Sequence, residues 1–272
     1  MSSLLQSMVH LLSMVWLSAA LPLEAHYSHS QQAHTITTDP ASSPASASMH
    51  EHPSSSAPTS YIVGDNGEAI KGQATTDGAP WERGNCLFFN WPQPKGYNPI
   101  AINSQMWDRS RMCGACIEIT NQYGTHMAVV TDQSGVGPTD LDLGKDAWDD
   151  VSNHGPSSGI PITWKLVPCN FDTPIQFSNA DHANPFWTAV QVANANVPIK
   201  SLEALPTDKK ERGWIKLKRV SESNHFGIPC KKTIGPAADL RVTCINGKTI
   251  VTKNVNLVWE ENQKPQLANG NC

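Results

Sequence analysis

Seven cysteines constrain this 272-residue chain more than any other feature. They stand at positions 86, 113, 116, 169, 230, 244 and 272, and none falls in the first 85 residues. Disulfides persist where the compartment is oxidising, so this spacing describes a secreted chain whose crosslinked part starts late. The N-terminus agrees. Val9 to Leu23 is nearly all apolar, and Ser18-Ala19-Ala20 offers small residues for cleavage, although no Lys or Arg precedes the run. Such a run is shorter than the ~20 residues of a membrane span, and residues 1–20 read as a signal peptide. Cys113-Gly114-Ala115-Cys116 invites a zinc or redox reading. A structural zinc site takes four ligands, usually from two close pairs, and no second CxxC or HxxxH is present. The cysteines are therefore expected in structural disulfides, and no metal is expected. Their odd number leaves one thiol over, with Cys272 either free or paired to another chain.

Residues 21–63 are expected to be a disordered linker. Positions 26–60 are rich in Ser, Ala, Pro, Thr and His, which cannot bury enough surface to offset the entropy of ordering. Six of the ten histidines precede residue 60. They suit a solvated linker better than a metal site. No Asn-x-Ser/Thr sequon occurs, so N-linked glycans are not expected.

From residue 64 the pattern is that of short strands. Charged residues make up only 16% of the chain, with 20 Pro and 18 Gly to punctuate turns. Ile117 and Ile119 alternate with polar neighbours, Met127 to Val130 form an apolar run, and Ile160, Ile162, Trp164 and Leu166 keep period two. One short helix fits Gly144 to Ser152, with Asp140 and Asp142 ahead of its positive end; Asp140 suits a cap. A first domain is placed at 64–170. A second, at 174–259, is expected to carry strands Phe186–Asn194, Trp214–Val220, Leu240–Ile245 and Thr249–Val255, with Asn246-Gly247 as a type I′ turn. Residues 260–272 are left as a tail. Residues 66–170 hold seven Lys/Arg against eleven Asp/Glu, and residues 171–258 twelve against seven. The basic half suits an anionic polysaccharide, or it is a solvated strand face carrying Lys216 and Lys218; secretion argues against nucleic acid.

Four segments in order resemble the expansins, microbial expansin-like proteins above all. They are Gly72-Gln73-Ala74-Thr75; Val130-Thr131-Asp132; Leu141-Asp142-Leu143 with Ala147-Trp148 behind it; and Phe186 to Asn194 followed by Val197-Pro198. The resemblance spans roughly residues 66–258. It implies an all-β chain: a six-stranded double-psi β-barrel, then an immunoglobulin-like β-sandwich. It places Thr75, Asp132 and Asp142 along a polysaccharide groove on the barrel. In family 45 glycoside hydrolases, which share the barrel, Asp142 matches the general acid, while the catalytic base matches Ala79 here. Asp77 is the nearest acidic alternative. Hydrolysis normally takes a pair of carboxylates, and losing general base catalysis costs ~10²–10⁴-fold. A groove acid without its base suits binding and loosening rather than cutting.

The second domain resembles the expansin cellulose-binding module. Phe186 and Trp187 match two of the three surface aromatics of microbial relatives. The third position is Ser223, before Asn224-His225-Phe226, and Trp214 is the candidate to replace it. In the barrel, Ser134 stands where bacterial relatives carry a groove Tyr. Trp91, between Asn90 and Pro92, is a further candidate for the groove, and Trp148 is expected in the core. The expected disulfides are Cys86–Cys116, Cys113–Cys169 and Cys230–Cys244. The leading expectation is a secreted, monomeric, non-hydrolytic protein that binds cellulose, other β-glucans or matrix polysaccharide and loosens plant-type walls. It has no cofactor, no nucleic-acid partner and no membrane partner. A weak family 45-like endo-β-glucanase and a barwin-like polysaccharide-binding or elicitor protein are the alternatives.

Overall fold

The structure is a computed structural model and describes residues 68–78, 80–228 and 233–272. The expected signal peptide, the whole expected linker, Ala79 and Cys230 lie outside these residues. The chain is all-β with little helix, as expected.

Six strands close a barrel: β1 (Ile70–Thr75), β2 (Asn98–Asn103), β3 (Cys116–Asn121), β4 (Gly124–Ser134), β5 (Leu141–Leu143) and β6 (Ile160–Val167). Their order around it is β1-β5-β2-β4-β3-β6. The β1/β5 and β2/β4 pairs are parallel and the rest antiparallel, the interleaved arrangement of a double-psi barrel. Closure leaves no exposed strand edge. Alternate residues point inward, so Ile100, Ile102, Ile117, Ile119, Leu141, Leu143, Ile162 and Trp164 fill the interior. Each such burial contributes about 1.5–3 kcal/mol. The helix α1 (Lys145–Ser152) lays Ala147, Trp148 and Val151 on this core, and the Trp148 indole donates to the Gly155 carbonyl. Its N-cap is Gly144, without a side-chain cap. Asp140 does not cap it: its carboxylate accepts the Gln73 amide of β1 at 2.8 Å.

The second half is a sandwich of two sheets. One is ordered β10-β9-β13-β14, with β9 (Ile199–Pro206), β10 (Ile215–Lys216), β13 (Ala237–Cys244) and β14 (Thr249–Asn256). The other is β11-β12-β8-β7-β15, with β7 (Gln176–Asn179), β8 (Ala189–Ala193), β11 (Lys218–Arg219), β12 (His225–Gly227) and β15 (Gln266–Leu267). Phe177, Val190, Val192, Leu202, Phe226, Leu240 and Val242 fill the space between. The expected strand Trp214–Val220 is divided between the sheets. The chain crosses from β10 to β11 at Leu217, which enters the core at the crossing. The β13–β14 turn also differs from expectation. The Gly247 amide bonds the Cys244 carbonyl, and only Gly247 has positive φ, at 86°. This is a type I turn with a left-handed glycine behind it, which adds one residue to the loop. Residues 266–272 are part of the sandwich rather than a tail: β15 pairs with β7, and Ala268 is buried.

The disulfides are Cys86–Cys113, Cys116–Cys169 and Cys244–Cys272. They replace all three expected pairings and give Cys272 a partner within the chain. Cys116 lies on β3 opposite Val167 of β6, two residues before Cys169, so the β3–β6 ladder brings that pair together.

Barrel and sandwich lie within one compact unit. The Gln191 side chain of β8 donates to the Cys86 and Leu87 carbonyls of the barrel at 2.8 and 3.0 Å. This explains why all of β8 is buried, its outward face included. The Trp107 indole donates to Ser221 O, and the Ser110 hydroxyl to Val220 O, each at 2.9 Å. Arg219 completes the seam by donating to Ser110 O, Ile199 O and Asn224 Oδ1, with its guanidinium over the Phe226 ring. Burial, with Arg111 nearby, pushes this guanidinium down to about 9. It is still charged at neutral pH, and its bonds to neutral carbonyls keep it solvated by protein.

Candidate functional site

Asp142 is the centre of a polar cluster on the barrel wall. Its neighbours Leu141 and Leu143 point into the core, so strand alternation turns Asp142 to the other face. It is only 6% exposed, because other segments cover it. Thr75 lies beside it in the parallel β1/β5 register, and the Thr75 hydroxyl donates to Asp142 Oδ1 at 3.0 Å. The Asp77 amide donates to the same oxygen at 2.8 Å. The Ser134 hydroxyl donates to Oδ2 at 2.9 Å. The segment after β1 lies close enough for this because residue 78 is glycine. A Cβ there would stand 2.7 Å from the Asp142 carbonyl oxygen.

Asp132 joins the same row. Ala101 of β2 pairs with Asp142 on one side and Asp132 on the other. The register between β2 and β4 slips at this point, skipping Thr131, whose side chain is buried. The bulge re-aims the strand, as bulges beside functional sites do. Asp132 Oδ1 accepts the Asn85 amide at 2.9 Å and the Gln133 amide at 2.8 Å. It therefore holds the loop at Asn85, and this structure records no bond from it to Asp142. A carboxylate has about four acceptor sites, and Asp142 has three of them engaged. What remains is a fixed acceptor among hydroxyls that can also receive hydrogen bonds.

The structure brings Thr75 and Asp142 into contact and sets Asp132 in register with them. Ser134 is the residue that sequence reasoning missed. In the sequence it stands out only as a departure from a Tyr, yet period two from Asp132 on β4 marks it as a partner on that strand. Asp77 contributes its amide, and its side chain lies on an exposed residue.

Phe186 and Trp187 are presented by a turn rather than by strand alternation, since β8 starts two residues later. Asn184 and Trp187 exchange backbone hydrogen bonds, and Asn184 Oδ1 accepts the Phe186 and Trp187 amides. Asn, then Pro185, is the residue pair that starts such turns. The turn leaves Phe186 81% and Trp187 51% exposed.

Two expected aromatics are placed elsewhere. Trp91 is 2% exposed, packed edge-on against Trp81, Phe88 and Phe171. It builds core and offers no face to the groove. Trp214 precedes β10, in the sheet opposite the one that Trp187 leads into, and the Arg241 guanidinium covers its ring at 4.3 Å. It cannot extend the Phe186–Trp187 surface. Ser223 lies between β11 and β12, with Asn224 beside it fully buried under Arg219.

A closed six-stranded barrel joined to a β-sandwich is the fold that the resemblance to expansins implies. No family model matches the chain. Among curated proteins, expansin-like protein 6 of Dictyostelium discoideum is 25% identical over 163 residues, 57% of this chain and 54% of its own. Expansin-like protein 1 of the same organism is 25% identical over 191 residues, 66% of this chain and 65% of its own. The chain thus spans between half and two thirds of the length of these relatives. Among solved structures, the apo Clavibacter michiganensis expansin superposes with a TM-score of 0.63 at 21% identity, covering 75% of this chain and 98% of that one. A mutant of that expansin in complex with cellohexaose gives 0.62 at 20% identity, with the same coverage. The chain is expansin-like in sequence and in fold.

Proposed function

We propose that this chain is secreted, binds β-glucan through both its domains, and loosens plant-type cell-wall polysaccharide without cutting it. The observation that carries the proposal is the Asp142 cluster: one carboxylate held by Thr75, Ser134 and the Asp77 amide on the barrel wall. Glucan chains cohere through hydroxyl–hydroxyl bonds and stacked apolar faces. A fixed acceptor ringed by hydroxyls offers replacement bonds to one chain, and an exposed aromatic turn offers a replacement apolar face. Together they lower the barrier to chain slippage. The solved expansin in complex with cellohexaose supports a β-1,4-glucan as the partner class.

Cutting needs a second group. Retaining and inverting glycosidases place two carboxyls ~5–5.5 or ~6.5–9.5 Å apart. The position that would supply the base is Ala79, which has no ionisable side chain. Asp77 and Glu82 are the two acidic residues within three positions of it, and the bond from Asp77 to Asp142 is made by its backbone amide. The test is mechanical. Wild type should weaken a cellulosic sheet under constant load, and Asp142→Asn should lose most of that weakening while keeping its fold and its pull-down on cellulose. Full weakening by the folded variant would remove Asp142 from the mechanism.

A further inference from the structure

A cavity of about 210 Å³ opens at the seam between barrel and sandwich, and neither the Asp142 cluster nor the Phe186–Trp187 turn lines it. The barrel contributes Asn90, and the sandwich contributes the end of β7 and the segment from Trp259 to Pro265. That segment is held in place: the Trp259 amide donates to Ala183 O at 2.8 Å, and the Gln263 amide to Glu260 O at 3.1 Å. The volume is below the ~300–1,000 Å³ of pockets for drug-sized ligands, and so suits a single ring.

The lining chemistry is that of sugar recognition. Asp181 and Glu260 supply acceptors, and Asn90 and Asn262 supply both donors and acceptors. A ring bearing neighbouring hydroxyls needs this mixture, because each hydroxyl donates once and accepts. Trp259 adds an apolar plane beside them, with the His182 ring 5.4 Å from its own. Asn179 is the least exposed of the lining residues. It lines the cavity and is 5% exposed, and its amide nitrogen donates to Asn256 O, Val258 O and Gln263 Oε1. Its Oδ1 is enclosed and has no partner among the described residues. Gln263, whose oxygen is already used, keeps its NH₂ to donate to a sugar hydroxyl. The charge balance narrows the ligand further. Two carboxylates against Lys264 disfavour an anionic sugar.

We infer that this seam pocket binds one uncharged hexose ring, as the end or a branch of a polysaccharide. The inference is independent of the role proposed for Asp142. Glucose, galactose, mannose and glucuronate are titrated against the full chain by saturation-transfer NMR and calorimetry. At least one neutral hexose should bind with millimolar affinity, and glucuronate at least tenfold more weakly than that hexose. Asp181→Asn combined with Glu260→Gln should weaken hexose binding at least tenfold. Asn262→Gly, at a position with φ of 60°, keeps the loop backbone and serves as the second variant; it should weaken binding severalfold. The inference is overturned if no neutral hexose binds, if glucuronate binds as well as the neutral sugars, or if the folded pocket variants bind like wild type.

Discussion

The Asp142 cluster and the Phe186–Trp187 turn are built by opposite means. Thr75 and Asp142 are 67 residues apart and meet only because β1 pairs with β5 when the barrel closes. The aromatic turn is made by four consecutive residues, Asn184 to Trp187, and needs only its own hydrogen bonds. One is polar, nearly buried and fixed in direction. The other is apolar, exposed and undemanding about what lies on it. Apolar area contributes about 25 cal/mol per Å², and an aromatic ring carries ~150–250 Å². Polar contacts exchanged with water contribute little net affinity but fix geometry. The difference teaches a division of labour: the turn holds the polysaccharide, and the barrel cluster acts on what is held.

The sharpest way to break that division is to remove the rings. Phe186→Ala with Trp187→Ala should lower cellulose binding about thirty- to a hundredfold, ~2–3 kcal/mol. Binding isotherms on insoluble cellulose measure it, and unchanged binding would place the holding surface elsewhere. Next comes the seam that keeps the two regions in register. Arg219→Met strands the Ser110 and Ile199 carbonyls and Asn224, so denaturant unfolding should show a loss of about 2 kcal/mol. Ser134→Ala is a smaller change. It removes one donor to Asp142 and should cut sheet weakening severalfold while leaving cellulose pull-down unaltered. An equal loss in both assays would erase the distinction between holding and acting.

The smallest effect concerns pH. Burial pushes the His225 imidazole below its ordinary 6.5, outweighing the Ser223 backbone bond and Asp181, which act to raise it. The unfolded chain then binds a proton that the folded chain refuses, and stability falls as pH drops below 6.5. The contribution is complete above the unfolded value and is lost as pH passes down through the folded one. Melting temperature measured between pH 7 and pH 5 should decline, and less so for His225→Gln.

Much of the frame was legible because strand alternation is a local signal. The run from Ile160 to Leu166 marks β6, and Ala147 with Trp148 marks the buried face of α1. Thr75 and Asp142 were legible together through the resemblance to expansins. What failed depends on contacts across the fold. The bulge at Thr131, which sets the direction of Asp132, leaves no mark in period two. Trp91 sits in a loop by sequence but is swallowed by three other rings. The cysteine pairs follow the β3–β6 ladder and the docking of the C-terminal strand, neither of which spacing can encode. Asp140 preceded a helix as a cap would, yet β1 reached its carboxylate first.

The account stands on binding and loosening without bond cleavage, and the most direct test is prolonged incubation of the purified wild type with soluble β-glucan. Reducing ends should stay at the level of the Asp142→Asn control throughout. Steady release of short oligosaccharides by wild type, absent from that control, would make Asp142 a hydrolytic acid and contradict the account.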